Sequence, residues 1–127
     1  MRLFALSHQS NHRIARVVSW SCAILLAFLS LLPNELEIRT GAPDELEHFF
    51  AYFFAAVLFS ISYPQKRFFV AGTLVAIAGL LEALQVFSPG RSVRLLDVWF
   101  SATGAIFGVV VASLIARCNV RPLRSKQ

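Results

Sequence analysis

The sequence predicts an all-α polytopic membrane protein, with four transmembrane helices packed as one bundle. Three observations carry this. Hydrophobic residues make up 57% of the 127 residues, more apolar surface than so short a chain can bury in a water-soluble interior. The apolar residues fall into four long runs. The charged residues collect in the gaps between those runs, where loops between spans belong.

The elements follow in order. Residues 1–16 are polar, carry Arg2, Arg13 and Arg16, and read as a cytoplasmic N-terminal segment. The first span is 17–32, stopped by Pro33 and Asn34. It has the basic start and apolar stretch of a signal peptide. Leu31-Leu32-Pro33-Asn34 offers no small-x-small cleavage site, however, so the run is expected to remain as a helix. The acidic stretch Glu35–Pro43 leads to a second span, 46–63, which stops at Pro64-Gln65-Lys66-Arg67. The third span, 68–87, closes at the turn Ser88-Pro89-Gly90-Arg91. The fourth, 95–116, runs into the basic tail 117–127. A helix needs about 20 residues to cross a hydrocarbon core of ~30 Å. Spans three and four meet that length, whereas the first two must borrow flanking residues or thin the bilayer.

The net charge of +5 fits cationic loops beside an anionic membrane leaflet rather than nucleic-acid binding. Cys22 lies inside the first apolar run and Cys118 at the far end of the last, with no CxxC or Cys/His cluster, so neither a disulfide nor a metal site is expected, nor any cofactor. With the N-terminus inside, the inner segments hold Arg2, Arg13, Arg16, Lys66, Arg67, Arg117, Arg121, Arg124 and Lys126. The outer loops hold only Arg39, Arg91 and Arg94. That asymmetry predicts both termini in the cytoplasm.

Ionisable groups inside apolar spans are the informative residues, since each costs roughly 2.5–3.5 kcal/mol at a helix centre on insertion scales. Asp44, His48 and Tyr52 recur every four residues and share one face of span two. Asp44 either caps that helix or orients His48 as a base or ligand. Glu82, with Gln85 three residues on, lies about 8 Å below the outer end of span three. It serves either as a helix–helix lock or as part of a site. Arg91 follows Pro-Gly and is placed to reach Glu82, Asp97 or an anionic headgroup, whereas Arg94 reads as a snorkelling surface residue. Behind Asp97 on span four come Ser101, Gly104 and Gly108, a small-residue face suited to close helix packing. Phe49, Phe50, Phe53, Phe54 and Phe59 read as lipid contact. Antiparallel spans put His48, Glu82, Gln85, Arg91 and Asp97 at similar depth near the outer surface.

The series Asp44-x-x-x-His48-x-x-x-Tyr52, Glu82-x-x-Gln85, Pro89-Gly90-Arg91, Asp97, Gly104 and Gly108 resembles the VanZ-like family, named for a protein linked to teicoplanin resistance in enterococci. The resemblance covers residues 43–108, about half the chain, and departs at Ser101, where the family usually has Asn. It implies a small multi-pass protein of the bacterial cytoplasmic (inner) membrane. The candidate ligand-binding set is Asp44, His48, Tyr52, Glu82, Gln85, Arg91 and Asp97. The expected ligand is a lipid headgroup or lipophilic glycopeptide, alongside membrane lipids and with oligomers open. The alternative is an enzyme acting on an envelope lipid or glycan, with His48, Glu82 and Asp97 as candidate catalytic groups. Ion transport fits less well, because no ionisable residue lies in the inner half of any span.

Overall fold

A computed structural model describes the backbone of residues 2–33, 36, 40–90 and 92–124, and the side chains of 11–33, 36, 40–90 and 92–119. Four helices follow one another: α1 (Arg2–Ser30), α2 (Asp44–Ser62), α3 (Arg67–Leu84) and α4 (Leu95–Arg124), with no strand among the described residues. Four helical stretches are long and apolar enough to span a bilayer: Asn11–Ser30, Asp44–Ser62, Pro64–Phe87, which adds a short 3-10 turn at each end of α3, and Leu95–Asn119. The fold class read from the sequence is borne out, and the chain is a multi-pass membrane protein.

Two helices run farther than the apolar runs. α1 begins at Arg2, so the polar segment is its first turns rather than a separate element. α4 continues through the basic tail to Arg124. Neither Gly nor Pro interrupts residues 2–32 or 109–121, so nothing ends the backbone ladder where hydropathy changes. At the far end of α1 the chain tightens, with Leu31 N–H reaching the carbonyls of both Ala27 and Phe28 at 3.2 Å.

The helix α2 starts two residues before the apolar run. Pro43 takes the cap position and its carbonyl accepts from Leu46 and Glu47. Asp44 therefore does not cap the helix; it is the first helical residue, where negative charge suits the dipole. Glu47 holds the preceding loop instead, accepting from the backbone N–H of Thr40 at 3.1 Å and from its hydroxyl. Gly41, at φ +85°, makes the turn between them possible. Span three keeps its expected length, but its last residues, Gln85–Phe87, tighten into a 3-10 turn.

The closest packing is between α2 and α4. A methyl group added at Gly104 would run into the backbone carbonyl of Phe49. One added at Gly108 would meet the Phe53 carbonyl and lie 2.7 Å from the Ala56 Cβ. The two glycines thus let the backbones of α2 and α4 approach. A core of Tyr52, Ala55, Ala56, Phe59, Val70, Leu74, Ala78 and Ala105 fills the space among α2, α3 and α4. Phe59 belongs to this core and not to the lipid surface expected for it, because its position on α2 faces inward. Phe49 and Phe53 are half-buried against α4, and only Phe50 and Phe54 point fully outward.

The first helix lies at the edge. Ser19 is its single buried residue among those described, and its hydroxyl meets that of Ser62 at 2.8 Å. Trp20 donates to the Tyr63 hydroxyl at 3.1 Å and stands edge-on to Phe59, while Arg16 covers the Tyr63 ring. Ile24, Phe28, Phe68, Phe69, Trp99 and Leu114 are exposed, as lipid-facing side chains are. Cys22 and Cys118 are free thiols.

Replacing Gly104 with Ala is expected to lower stability in detergent by about 1–3 kcal/mol, because backbone rather than a movable side chain opposes the new methyl. Gly72 has nothing within 4 Å of the same added atom, so Gly72→Ala should be neutral or mildly stabilising. Thermal unfolding of the two variants side by side reads the difference.

Candidate functional site

The helix order places the C-terminal ends of α1 and α3 and the N-terminal ends of α2 and α4 together, away from the chain termini. At this end four buried polar residues sit among apolar neighbours: Glu82 (4% exposed), Gln85 (2%), Asp97 (6%) and Ser101 (2%). In a low-dielectric surrounding such groups require partners.

Helix α2 brings Asp44, Glu45 and His48 in its first turns. α4 brings Asp97 and Ser101 on the face that the glycines press against α2. Ser101 Oγ and His48 Nδ1 meet at 3.3 Å, a long contact whose donor depends on the histidine tautomer. One turn back, Asp97 lies within electrostatic range of His48, Arg94, Glu45 and Asp44. Its Oδ1 is buried with no hydrogen-bond partner. No hydrogen bond joins Asp44 to His48 among the described residues. Asp44 turns to Arg94, at 3.8 Å. The two side chains share a helix face as the spacing requires, but the closer cation takes the carboxylate.

Arg94 is the residue that the sequence reading undervalued. Its guanidinium bonds Glu45 Oε1 at 2.7 Å. Its backbone N–H, just ahead of α4, donates to Glu82 Oε1 at 2.5 Å. Glu82 thus satisfies one of the free N–H groups at the start of α4, from a different helix. Arg94 is half-buried and bridges α2, α3 and α4 rather than snorkelling away. A main-chain donor leaves no mark in a sequence, although the Glu45–Arg94 pairing follows the same antiparallel logic that gathered the other residues.

Gln85 and Glu82 diverge despite their spacing. The 3-10 turn at Gln85 swings its amide toward α1, where it donates to the Ser30 carbonyl at 2.9 Å and to the Ser30 hydroxyl at 3.0 Å. Ser88 adds a bond to the Leu31 carbonyl at 3.2 Å. Gln85 therefore fastens α1 to α3 and stands apart from the α2–α4 cluster. Tyr52 is buried in the apolar core within electrostatic range of Glu82. Arg91 lies outside the described residues. Among the described residues, no three His, Cys, Asp or Glu side chains converge closely enough to hold a metal ion.

Compared with known proteins, the chain matches no family model, no curated protein and no solved structure. The reading of its site therefore rests on the geometry above.

Glu82→Gln keeps an oxygen that can accept from the Arg94 N–H and should retain most of the fold's stability. Glu82→Leu leaves that N–H unpaired and should cost about 1–3 kcal/mol more. Unfolding midpoints of both variants in the same detergent distinguish a hydrogen-bonding role from a mere need for volume.

Proposed function

We propose that this chain is a VanZ-like protein of the bacterial cytoplasmic membrane that binds a cell-envelope ligand at the polar end of its bundle. The ligand is a lipid headgroup or a lipophilic glycopeptide, and a link to teicoplanin resistance follows from the same resemblance. The observation that carries the binding role is Asp97. A cluster built only to lock helices together pairs its buried polar groups, as Glu82 does by accepting and Gln85 by donating, yet Asp97 Oδ1 is buried without a partner. His48, half-buried beside it, supplies a group able to donate or accept.

The orientation is part of the proposal. The end bearing the termini carries Arg13, Arg16, Lys66, Arg67 and Arg117 and, among the described residues, no carboxylate. The positive-inside rule puts that end in the cytoplasm and the Asp97 end outside.

An enzymatic reading has one observation in its favour, the contact of Ser101 with His48 near Asp97. Ser101 is only 2% exposed, however, and the three side chains do not form a relayed hydrogen-bond chain, so binding is the better-supported function.

Two measurements bear on this. His48→Ala and Arg91→Ala should each weaken binding of labelled teicoplanin or of a labelled envelope lipid precursor several-fold, and wild-type binding in both variants would refute the ligand site. In a Cys22→Ser background, a membrane-impermeant thiol reagent should label the exposed Cys118 only after cells are opened. Labelling in intact cells would reverse the topology.

A further inference from the structure

The polar end is richer in acid than in base. The carboxylates of Asp44, Glu45, Glu82 and Asp97 gather there, and Arg94 is the one guanidinium among the described residues of the cluster. Counting Arg91 as well, whose placement is not described, and a protonated His48, the acids still outnumber the cations. The charge balance thus favours a cationic group over the anionic one that Arg91 alone suggests.

The depth of the carboxylates narrows the choice. Glu45 and Asp44 are at the rim, partly exposed and engaged with Arg94 at 2.7 and 3.8 Å. Asp97 lies below, 6% exposed, with Oδ1 unpartnered. The carboxylates do not converge on a metal-sized point. Spread over rim and floor, they suit a cation that donates hydrogen bonds in several directions, as an ammonium does with its three N–H groups. The Arg94 side chain is 41% exposed, and ion pairs this exposed are weak, so its guanidinium can be displaced.

We infer that this end of the bundle binds a primary ammonium group, with Asp97 as the deep acceptor and the Arg94 guanidinium as a built-in placeholder that the ligand displaces. The inference rests on the ligand-site reading above and specifies its chemistry. At the membrane surface two sources carry such a group: an ethanolamine phospholipid headgroup and an amine of a lipophilic glycopeptide.

The test uses the full chain in phosphatidylglycerol nanodiscs. One arm adds phosphatidylethanolamine and counts retained lipids by native mass spectrometry. The other adds teicoplanin or its N-acetylated derivative and measures binding. The wild type should prefer the free amine in at least one arm, and the arm that responds identifies the source. Asp97→Asn should reduce that preference roughly tenfold or more, the effect of losing one charge-assisted hydrogen bond. Because Asp97→Asn risks misfolding, Glu45→Gln at the rim provides a second variant, and it should weaken the preference while keeping the unfolding midpoint. Arg94→Ala should strengthen amine binding, since the Glu82 bond uses only its backbone and survives. If Arg94→Ala weakens amine binding, the placeholder is refuted. If acetylated glycopeptide or phosphatidylglycerol alone binds as well as the amines, yet binding still falls in His48→Ala, the ammonium inference fails while the ligand site stands. If no probe binds in a way any of these variants changes, both fail.

Discussion

The close approach of α2 and α4 is the constraint from which the rest of the arrangement follows. Gly104 and Gly108 present no side chain to α2, so the two backbones meet at Phe49 and Phe53. Between lipid-immersed helices, hydrophobicity gives little preference for one contact over another, and close van der Waals packing decides the pairing. Once Gly104 is seated on Phe49, the register is fixed. One turn toward the start of α4, Ser101 meets His48; a further turn brings Asp97 to the level of Asp44 and Glu45. The polar cluster is thus a consequence of where the small residues allow the backbones to touch.

The remaining helices are fastened by hydrogen bonds as well as by apolar packing. Glu82 reaches from α3 to the free N–H at the start of α4, and Gln85 reaches from α3 to the last turn of α1. In hydrocarbon an unpaired N–H or carbonyl has no water to turn to, so such cross-helix bonds complete the helix ends. α1 is also held by the Ser19–Ser62 hydroxyls, by Trp20 and Arg16 on Tyr63, and by Ala23 and Leu26 packed against the core. Among the described residues its span is far less buried than the other three.

The two ends of the bundle differ in kind. The end bearing the termini is cationic and carries most of its charges on exposed side chains suited to lipid headgroups, Arg13, Arg16, Lys66 and Arg117, with Arg67 partly buried. The opposite end carries its charges on three helices, from the partly exposed rim of Asp44 and Glu45 to the buried Glu82, with the bonds of Glu45, Glu82 and Arg94 holding the helices together. Asp97 breaks that rule. One polar cluster therefore holds two kinds of atom: satisfied ones that order the bundle, and an unsatisfied one at Asp97 that is the acceptor in the ligand site we propose.

The sequence by itself determined the number of spans, their approximate limits and the end at which polar groups gather. Each is set by hydropathy and by the strict alternation of antiparallel helices, which need no knowledge of contacts. The Gly104–Gly108 face was legible for the same reason, since a four-residue spacing of glycines on an apolar helix has few other uses. Tertiary structure alone decided the partnerships. Asp44 and His48 share a face, yet each pairs across the bundle, with Arg94 just ahead of α4 and with Ser101 on it, because those partners are nearer than the two are to one another. Glu82 and Gln85 are three residues apart, yet a 3-10 turn sends them to different helices. Arg94 reads as a surface cation until its backbone N–H is seen against Glu82. These outcomes turn on ångström-scale register, on local helix tightening and on main-chain donors. A pattern of side-chain types records none of the three.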